Sequence, residues 1–180
     1  MITIKGAANS GTTWYALHKA VHYCKARYSP KSSINRQPII WVYSELLHED
    51  LVRRIDELYP DENVLGVDGY ATLRTYNNEI PYRLDDIISE SMEWNTSDVV
   101  IVDNAIIHSI NSKTSNYQDE SNTIKYTFDA LQNHQQVIMF YREQINRNEI
   151  VDLASSYTHD KFEWDFKSEE GTHYVNLVNH

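Results

Sequence analysis

Cys24 is the single cysteine in 180 residues, which excludes a disulfide framework and any cysteine-rich zinc module. Positive charge is scarce as well. Sixteen basic residues against 26 acidic ones leave a net charge of −10, the wrong sign for a protein that grips nucleic acid through the phosphate backbone alone. No apolar run reaches the ~18 residues of a membrane span, and the opening MITIKGAANSG contains no apolar stretch of signal-peptide length. Internal repeats and low-complexity tracts are missing too. What is there suits a folded core: 41% of the residues are hydrophobic, 12% aromatic and 23% charged. The expectation is one soluble domain over residues 1–180, cytoplasmic and without a membrane partner.

The charge is unevenly placed. Residues 1–44 hold Lys5, Lys19, Lys25, Arg27, Lys31 and Arg36 and no carboxylate, so the other 136 residues carry a net −16. This is either a basic pole for a phosphorylated ligand or nucleic acid, or a solvated helix face followed by a Lys-rich loop.

Hydrophobic periodicity gives the elements. Ile2–Ile4 reads as a short strand stopping at Gly6, and Gly11 to Ala26 as a helix with Leu17, Ala20, Val21 and Cys24 on one stripe. Ile39–Tyr43 is an almost wholly apolar, β-rich strand, the pattern of one covered on both faces. His48–Leu58 is helical and ends at Pro60, Asn63–Val67 reads as a third strand, and Leu84–Trp94 as a helix. Val99–Val102 is another apolar strand, closed by Asp103. His108–Asn122 has almost no apolar content and reads as a mobile loop, of a length that is usually functional or disordered. Thr123–Asn133 follows as a helix and Val137–Tyr141 as a strand; Lys161–Phe166 and His173–Val178 then form a hairpin turning at Glu170-Gly171. Strands that are apolar throughout and alternate with helices predict an α/β domain with a mainly parallel sheet. Such sheets bind ligands at the carboxyl ends of their strands.

The first strand-to-helix turn is Gly6-Ala7-Ala8-Asn9-Ser10-Gly11-Thr12-Thr13, followed by Trp14. A phosphate-binding P-loop is G-x-x-x-x-G-K-S/T between a strand and a helix. Its small residues let the backbone wrap a phosphate, and the helix N-terminus adds its positive dipole end. Both glycines are correctly spaced here, and Thr13 takes the place of the magnesium-binding hydroxyl. Thr12 replaces the lysine, whose charge serves the outer phosphates, so triphosphate binding and phosphoryl transfer should both be weakened.

Three further stretches extend the pattern. Val42-Tyr43-Ser44-Glu45 leads into Glu49-Asp50-Leu51. It resembles the stretch of replicative hexameric helicases of the DnaB type, and of KaiC-like proteins, in which a strand ends in a glutamate before a helix. The resemblance makes Glu45 the residue that polarises the attacking water. Val99–Asp103 (VVIVD) resembles a Walker B strand, with Asp103 facing the magnesium. Val137–Arg147 (VIMFYREQINR) resembles the helicase strand ending in S-Q-L-N-R, so that Gln144 and Arg147 take the glutamine and arginine positions. The order of these pieces, more than any one of them, is informative. It resembles a RecA-like P-loop core of the DnaB/KaiC/RecA type over residues 1–150, with the hairpin within 161–180 as a terminal addition. The fold implied is a three-layer α/β domain, with helices on both faces of a mainly parallel sheet and a C-terminal antiparallel hairpin.

Two functions follow from the resemblance. One is a small ATP-binding protein of DNA replication or recombination. In it, residues Gly6 to Trp14 bind magnesium-ATP, Thr13 and Asp103 hold the metal, Glu45 orients water and Gln144 senses the outer phosphate. Arg142 or Arg147 comes from a neighbouring subunit of a homo-oligomer, and single-stranded DNA meets loops 108–122 and 147–158. Hydrolysis is weak or absent because of Thr12. The other is a catalytically inactive RecA-like scaffold that binds a replication or recombination protein, or assembles with itself, without nucleotide. Lys5 and Lys19 flank the turn as substitutes for the lysine, neither in its ordinary position. Arg142 and Glu143 add charges where the family strand ends in serine, and the expectation is of a core without the N-terminal ring-building domain of the helicases. A nucleotide kinase is disfavoured, because it needs the P-loop lysine and an arginine-rich lid. The small size, the Tyr and Asn richness and the altered motif suit a phage protein working in the host cytoplasm.

Other constellations are weaker. His18 and His22 lie four apart on the first helix, a spacing open to metal but more often solvent-facing. Cys24 falls on the apolar stripe and reads as a core thiol. Trp14 is open to contact with a base or to packing beneath the loop.

Overall fold

The computed structural model describes residues 2–6, 11–28, 36–44, 46–77, 88, 93–103, 126, 129–131, 137–142, 163–169 and 172–178. In chain order the elements are β1 (Ile2–Gly6), α1 (Thr12–Arg27), β2 (Ile39–Ser44), α2 (His48–Leu58), β3 (Thr72–Asn77), β4 (Val99–Asp103), β5 (Val137–Arg142), β6 (Glu163–Glu169) and β7 (Thr172–Val178). Strands β1 to β5 form one sheet in the order β1-β5-β4-β2-β3, with every pairing parallel. The chain leaves β1, passes over β5 and β4 to β2, steps outward to β3, and then returns to β4 and β5. Strands β6 and β7 pair antiparallel, Glu169 opposite Thr172, and β6 lies against β1.

The centre of the sheet is apolar because it is covered on both sides. Ile40, Trp41, Val42 and Tyr43 of β2 and Val99 to Val102 of β4 are all buried. Side chains alternate across a sheet, and here the alternation sorts cleanly. Ile40, Val42, Val99 and Ile101 pack with α1 and α2. Trp41 and Tyr43 point to the other face, where Tyr43 stacks with both Trp41 and Tyr76 of β3 and the Trp41 and Tyr76 rings meet at a tilt.

Helix α1 presents Ala16, Leu17, Ala20, Val21 and Cys24 to this core, three to four residues apart, and places Lys25 and Arg27 in its last turn, where they complement the helix dipole. Burial pushes the Cys24 thiol up to about 12, so it is a protonated core group, in keeping with its place on the apolar stripe. Helix α2 opens with Glu49 and Asp50 in its first turn, buries Leu51 and Ile55, and stops before Pro60. The two helices meet along a seam. Arg54 lies over the Trp14 ring, Tyr59 stacks on His18, and Lys25 pairs with Glu62 at 2.6 Å. Both residue numbers rise together along the seam, so the helices run parallel.

Asn63–Val67, expected to be a strand, is a compact turn. The Asn63 side chain accepts the Gly66 amide at 3.0 Å, and the Val64 carbonyl takes the amides of both Tyr70 and Ala71. At Gly69 a Cβ would fall 2.4 Å from the Val64 oxygen, so the turn closes only around glycine. The third strand is instead Thr72–Asn77. Gln37 ties it to the start of β2, donating to the Gly69 carbonyl at 2.6 Å and accepting the Thr72 hydroxyl at 3.0 Å. The expected strand at 99–102 and helix at 48–58 form, and the 137–141 strand extends to Arg142. Ile88 is helical and residues 93–96 form a turn; the rest of the expected 84–94 helix and the 108–122 loop lie outside the described residues. Among the described residues, no helix is long and apolar enough to cross a membrane.

This packing makes the stability sensitive at two places. Ile55 is wholly enclosed between α2, α1 and the sheet, so Ile55→Ala should cost about 2–5 kcal/mol in urea denaturation. His18 has its pKa lowered by burial first, then by Lys19 and His22, and its Nδ1 meets the Tyr59 hydroxyl at 2.8 Å. A histidine held neutral in the fold is protonated first in the unfolded chain, so stability is lost as pH falls through the ordinary histidine range. The melting temperature should drop from pH 7.5 to 5.5, and His18→Gln should remove part of that drop.

Candidate functional site

The carboxyl ends of β1, β2 and β4 and the start of α1 lie at one end of the parallel sheet. Gly6 closes β1 in register with Arg142 of β5. Ala7 to Ser10 lie outside the described residues. Gly11 then has φ +94°, a left-handed conformation that glycine adopts without penalty, and its carbonyl accepts the Tyr15 amide to start α1. Thr12, Thr13 and Trp14 form the first turn and are half-buried. That turn has no side-chain cap and no acidic residue. A helix opening of this kind keeps its first amides for water or an anion.

Asp103 is the last residue of β4 and only 6% exposed. The period-two alternation from Val99 and Ile101 puts it on the face covered by α1, and α1 packs on β4. The start of α1 and the Asp103 carboxylate therefore share one end and one face of the sheet. Ser44, the last residue of β2, donates its hydroxyl to Asp103 Oδ2 at 2.7 Å and accepts the Leu46 amide at 3.1 Å. One hydroxyl thus joins the acidic end of β4 to the chain as it leaves β2, the stretch in which Glu45 falls. Glu45, Gln144 and Arg147 themselves lie outside the described residues.

Sequence reasoning passed over Ser44. The available signal was a small hydroxyl residue at the exit of an otherwise apolar strand that pairs with the Asp103 strand. Trp14, offered to a base, has one ring face covered by the Arg54 guanidinium, 5.3 Å from the ring centre. Lys19, considered as a substitute for the lysine, has its ammonium over the Tyr15 ring at 5.3 Å. His18 is engaged by Tyr59, and the described residues contain no group of three histidine, cysteine or carboxylate side chains that could hold a metal.

The donor types fit a magnesium-bound phosphate. Magnesium takes oxygen ligands, usually one or two carboxylates with phosphate oxygens, and Asp103, Thr13 and Ser44 supply carboxylate and hydroxyls. The uncapped first turn of α1 suits the anion itself. The departure is the neutral Thr12 in the place of a fixed cation.

No family model matches the chain, and no curated protein matches it in sequence. Among solved structures it is similar to the flagellar accessory protein FlaH from Methanocaldococcus jannaschii, with a TM-score of 0.66 at 12% identity. The match covers 99% of this chain and 77% of that one. The likeness is one of fold. It supports the RecA-like architecture expected from the order of the motifs.

The Ser44–Asp103 bond carries a prediction. Ser44→Ala leaves a buried carboxylate without its hydroxyl donor, which should cost about 1–3 kcal/mol in urea denaturation. Ser44→Thr, which keeps the hydroxyl, should recover most of that loss.

Proposed function

We propose that the chain binds ATP with magnesium at the carboxyl end of its sheet and turns it over slowly or not at all. The observation that carries this reading is a buried carboxylate, Asp103, sharing one sheet end and face with an uncapped helix start preceded by a left-handed glycine. In this reading the phosphates rest on the amides of the turn ending at Thr13, and Thr13 and Asp103 hold the metal. When bound, magnesium would spread the charge of the outer phosphates. Ser44 keeps the Asp103 carboxylate oriented. Glu45 orients the attacking water, and Gln144 senses the outer phosphate. The cation that completes transition-state charge, Arg142 or Arg147, comes from a neighbouring subunit of a homo-oligomer. Without a lysine at position 12, binding is weakened and transfer more so.

The helicase resemblance of the sequence supports a role for this nucleotide binding in DNA replication or recombination, in which segments 108–122 and 147–158 would meet single-stranded DNA. A second reading, an inactive scaffold for a partner protein, is favoured by one feature: Thr12 removes the residue that phosphoryl transfer most needs.

Calorimetric titration separates the two. Magnesium-ATP should bind the wild-type protein in the micromolar to millimolar range, more weakly when magnesium is withheld. Asp103→Asn should abolish the magnesium dependence while nucleotide still binds. Glu45→Gln should leave binding intact and remove any phosphate release. No heat of binding at millimolar magnesium-ATP would overturn the nucleotide reading and favour the scaffold.

A further inference from the structure

We propose that Arg54 supplies the positive charge that Thr12 withdraws from the P-loop-like turn, acting from α2 on the outer phosphates of the nucleotide. This rests on the nucleotide reading above and adds the residue that makes it electrostatically workable.

The first observation is position. The Arg54 guanidinium lies over the ring of Trp14, one residue beyond Thr13 in the first turn of α1. The seam fixes the direction. Arg54 meets Trp14 and Tyr59 meets His18, so α1 and α2 run side by side with both N-termini at the end of the sheet that carries Asp103. Helical side chains lean toward the N-terminus of their own helix. The long Arg54 side chain therefore leans toward the carboxyl end of the sheet, where the first amides of α1 are also found.

The second observation is an unmet donor. Arg54 Nε is buried and has no hydrogen-bond partner among the described residues. The carboxylates near it on α2 do not serve it. Asp50 and Glu57 are both engaged by Arg53, at 3.4 and 2.8 Å. Four cations of residues 19–36 are committed elsewhere: Lys25 to Glu62, Arg36 to Asp98, Lys19 over Tyr15 and Arg27 over Tyr23. Arg54 as a whole is only half-buried, so the outer N–H groups of the guanidinium are the donors open to an anion at the helix start.

The third consideration is chemistry. A guanidinium stays charged at every working pH and matches phosphate oxygens with paired N–H donors. Its flat face stacks on an indole, which holds it in place at little entropic cost. Arginine on α2 can thus do for the outer phosphates what lysine does from the P-loop, at the expense of a different geometry for transfer.

A charge-relocation cycle tests this. Dissociation constants for magnesium-ATP and magnesium-ADP are measured by calorimetry for the wild type, Arg54→Met, Arg54→Lys, Thr12→Lys and the Arg54→Met/Thr12→Lys double variant. Arg54→Met should weaken ATP binding about tenfold or more and ADP binding less, shrinking the preference for the triphosphate. Adding Thr12→Lys should restore ATP affinity in the Arg54→Met background by more than it raises affinity in the wild type, a non-additivity expected when two cations serve one anion. Arg54→Lys, which keeps the charge, should lie between wild type and Arg54→Met, and it keeps the test informative if the methionine variant fails to fold.

Wild-type protein that binds ATP, with Arg54→Met binding it equally well, overturns the role of Arg54 and leaves the nucleotide reading standing. Equal losses for ATP and ADP, with no rescue by Thr12→Lys, would make Arg54 a structural clamp between α1 and α2. Wild-type protein that binds neither nucleotide removes both proposals together.

Discussion

The pairing of β2 with β4 is the constraint on which the rest depends. Both strands are apolar along their length and buried on both faces, so helices must cover the sheet and polar groups are confined to the strand ends. Those ends are pinned by aspartates of opposite purpose. At the entry, Asp98 accepts the Ile39 amide at 2.9 Å while its own amide donates to the Ile39 carbonyl at 2.9 Å, which fixes the register. At the exit, Asp103 accepts the Ser44 hydroxyl. The entry carboxylate is spent on the Ile39 amide and on Arg36. The exit carboxylate is held by a side chain at the end of the sheet where parallel α/β domains bind ligands.

Charge is the second constraint. Removing a lysine from a phosphate-binding turn leaves the anion with amides and a helix dipole, which together amount to about half an elementary charge. A triphosphate with magnesium still needs a cation nearby. The chain has an excess of acids overall, yet no carboxylate among its first 44 residues. Residues 11–28 therefore bring only neutral and basic groups to the site, and α2 brings an arginine whose neighbouring acids are already engaged. The sequence asymmetry that admitted two readings thus acquires a local one: the helix that begins at the site is free of opposing charge.

Much of the fold was legible because its signals are strong. Ile39–Tyr43 and Val99–Val102 have no polar interruption, and α1 and α2 carry regular apolar stripes, so burial on both faces of the sheet could be read directly. The order of glycine turn, Glu45, Asp103 and Gln144 pointed to a RecA-like core, and the solved-structure likeness supports that fold. The third strand was misread for a physical reason. Asn63–Val67 looks apolar, but the Asn63 side chain and two glycines close it into a turn. Thr72–Asn77 looks polar, but a strand with β2 on one side needs few apolar residues to pair. The contacts of Ser44 and Arg54 were invisible because they are made 59 and 40 positions away, which periodicity does not encode.

In the proposed binding mode a nucleotide's phosphates rest on the first turn of α1, opposite Asp103. Amide NMR on labelled protein titrated with magnesium-ATP decides whether they do. The largest shifts should fall at Gly11 to Trp14 and at Asp103, with the Ser44–Leu46 turn responding through the Asp103 bond and the entry end of the sheet around Asp98 unmoved. Saturable shifts confined to other residues, or none at all, would contradict it.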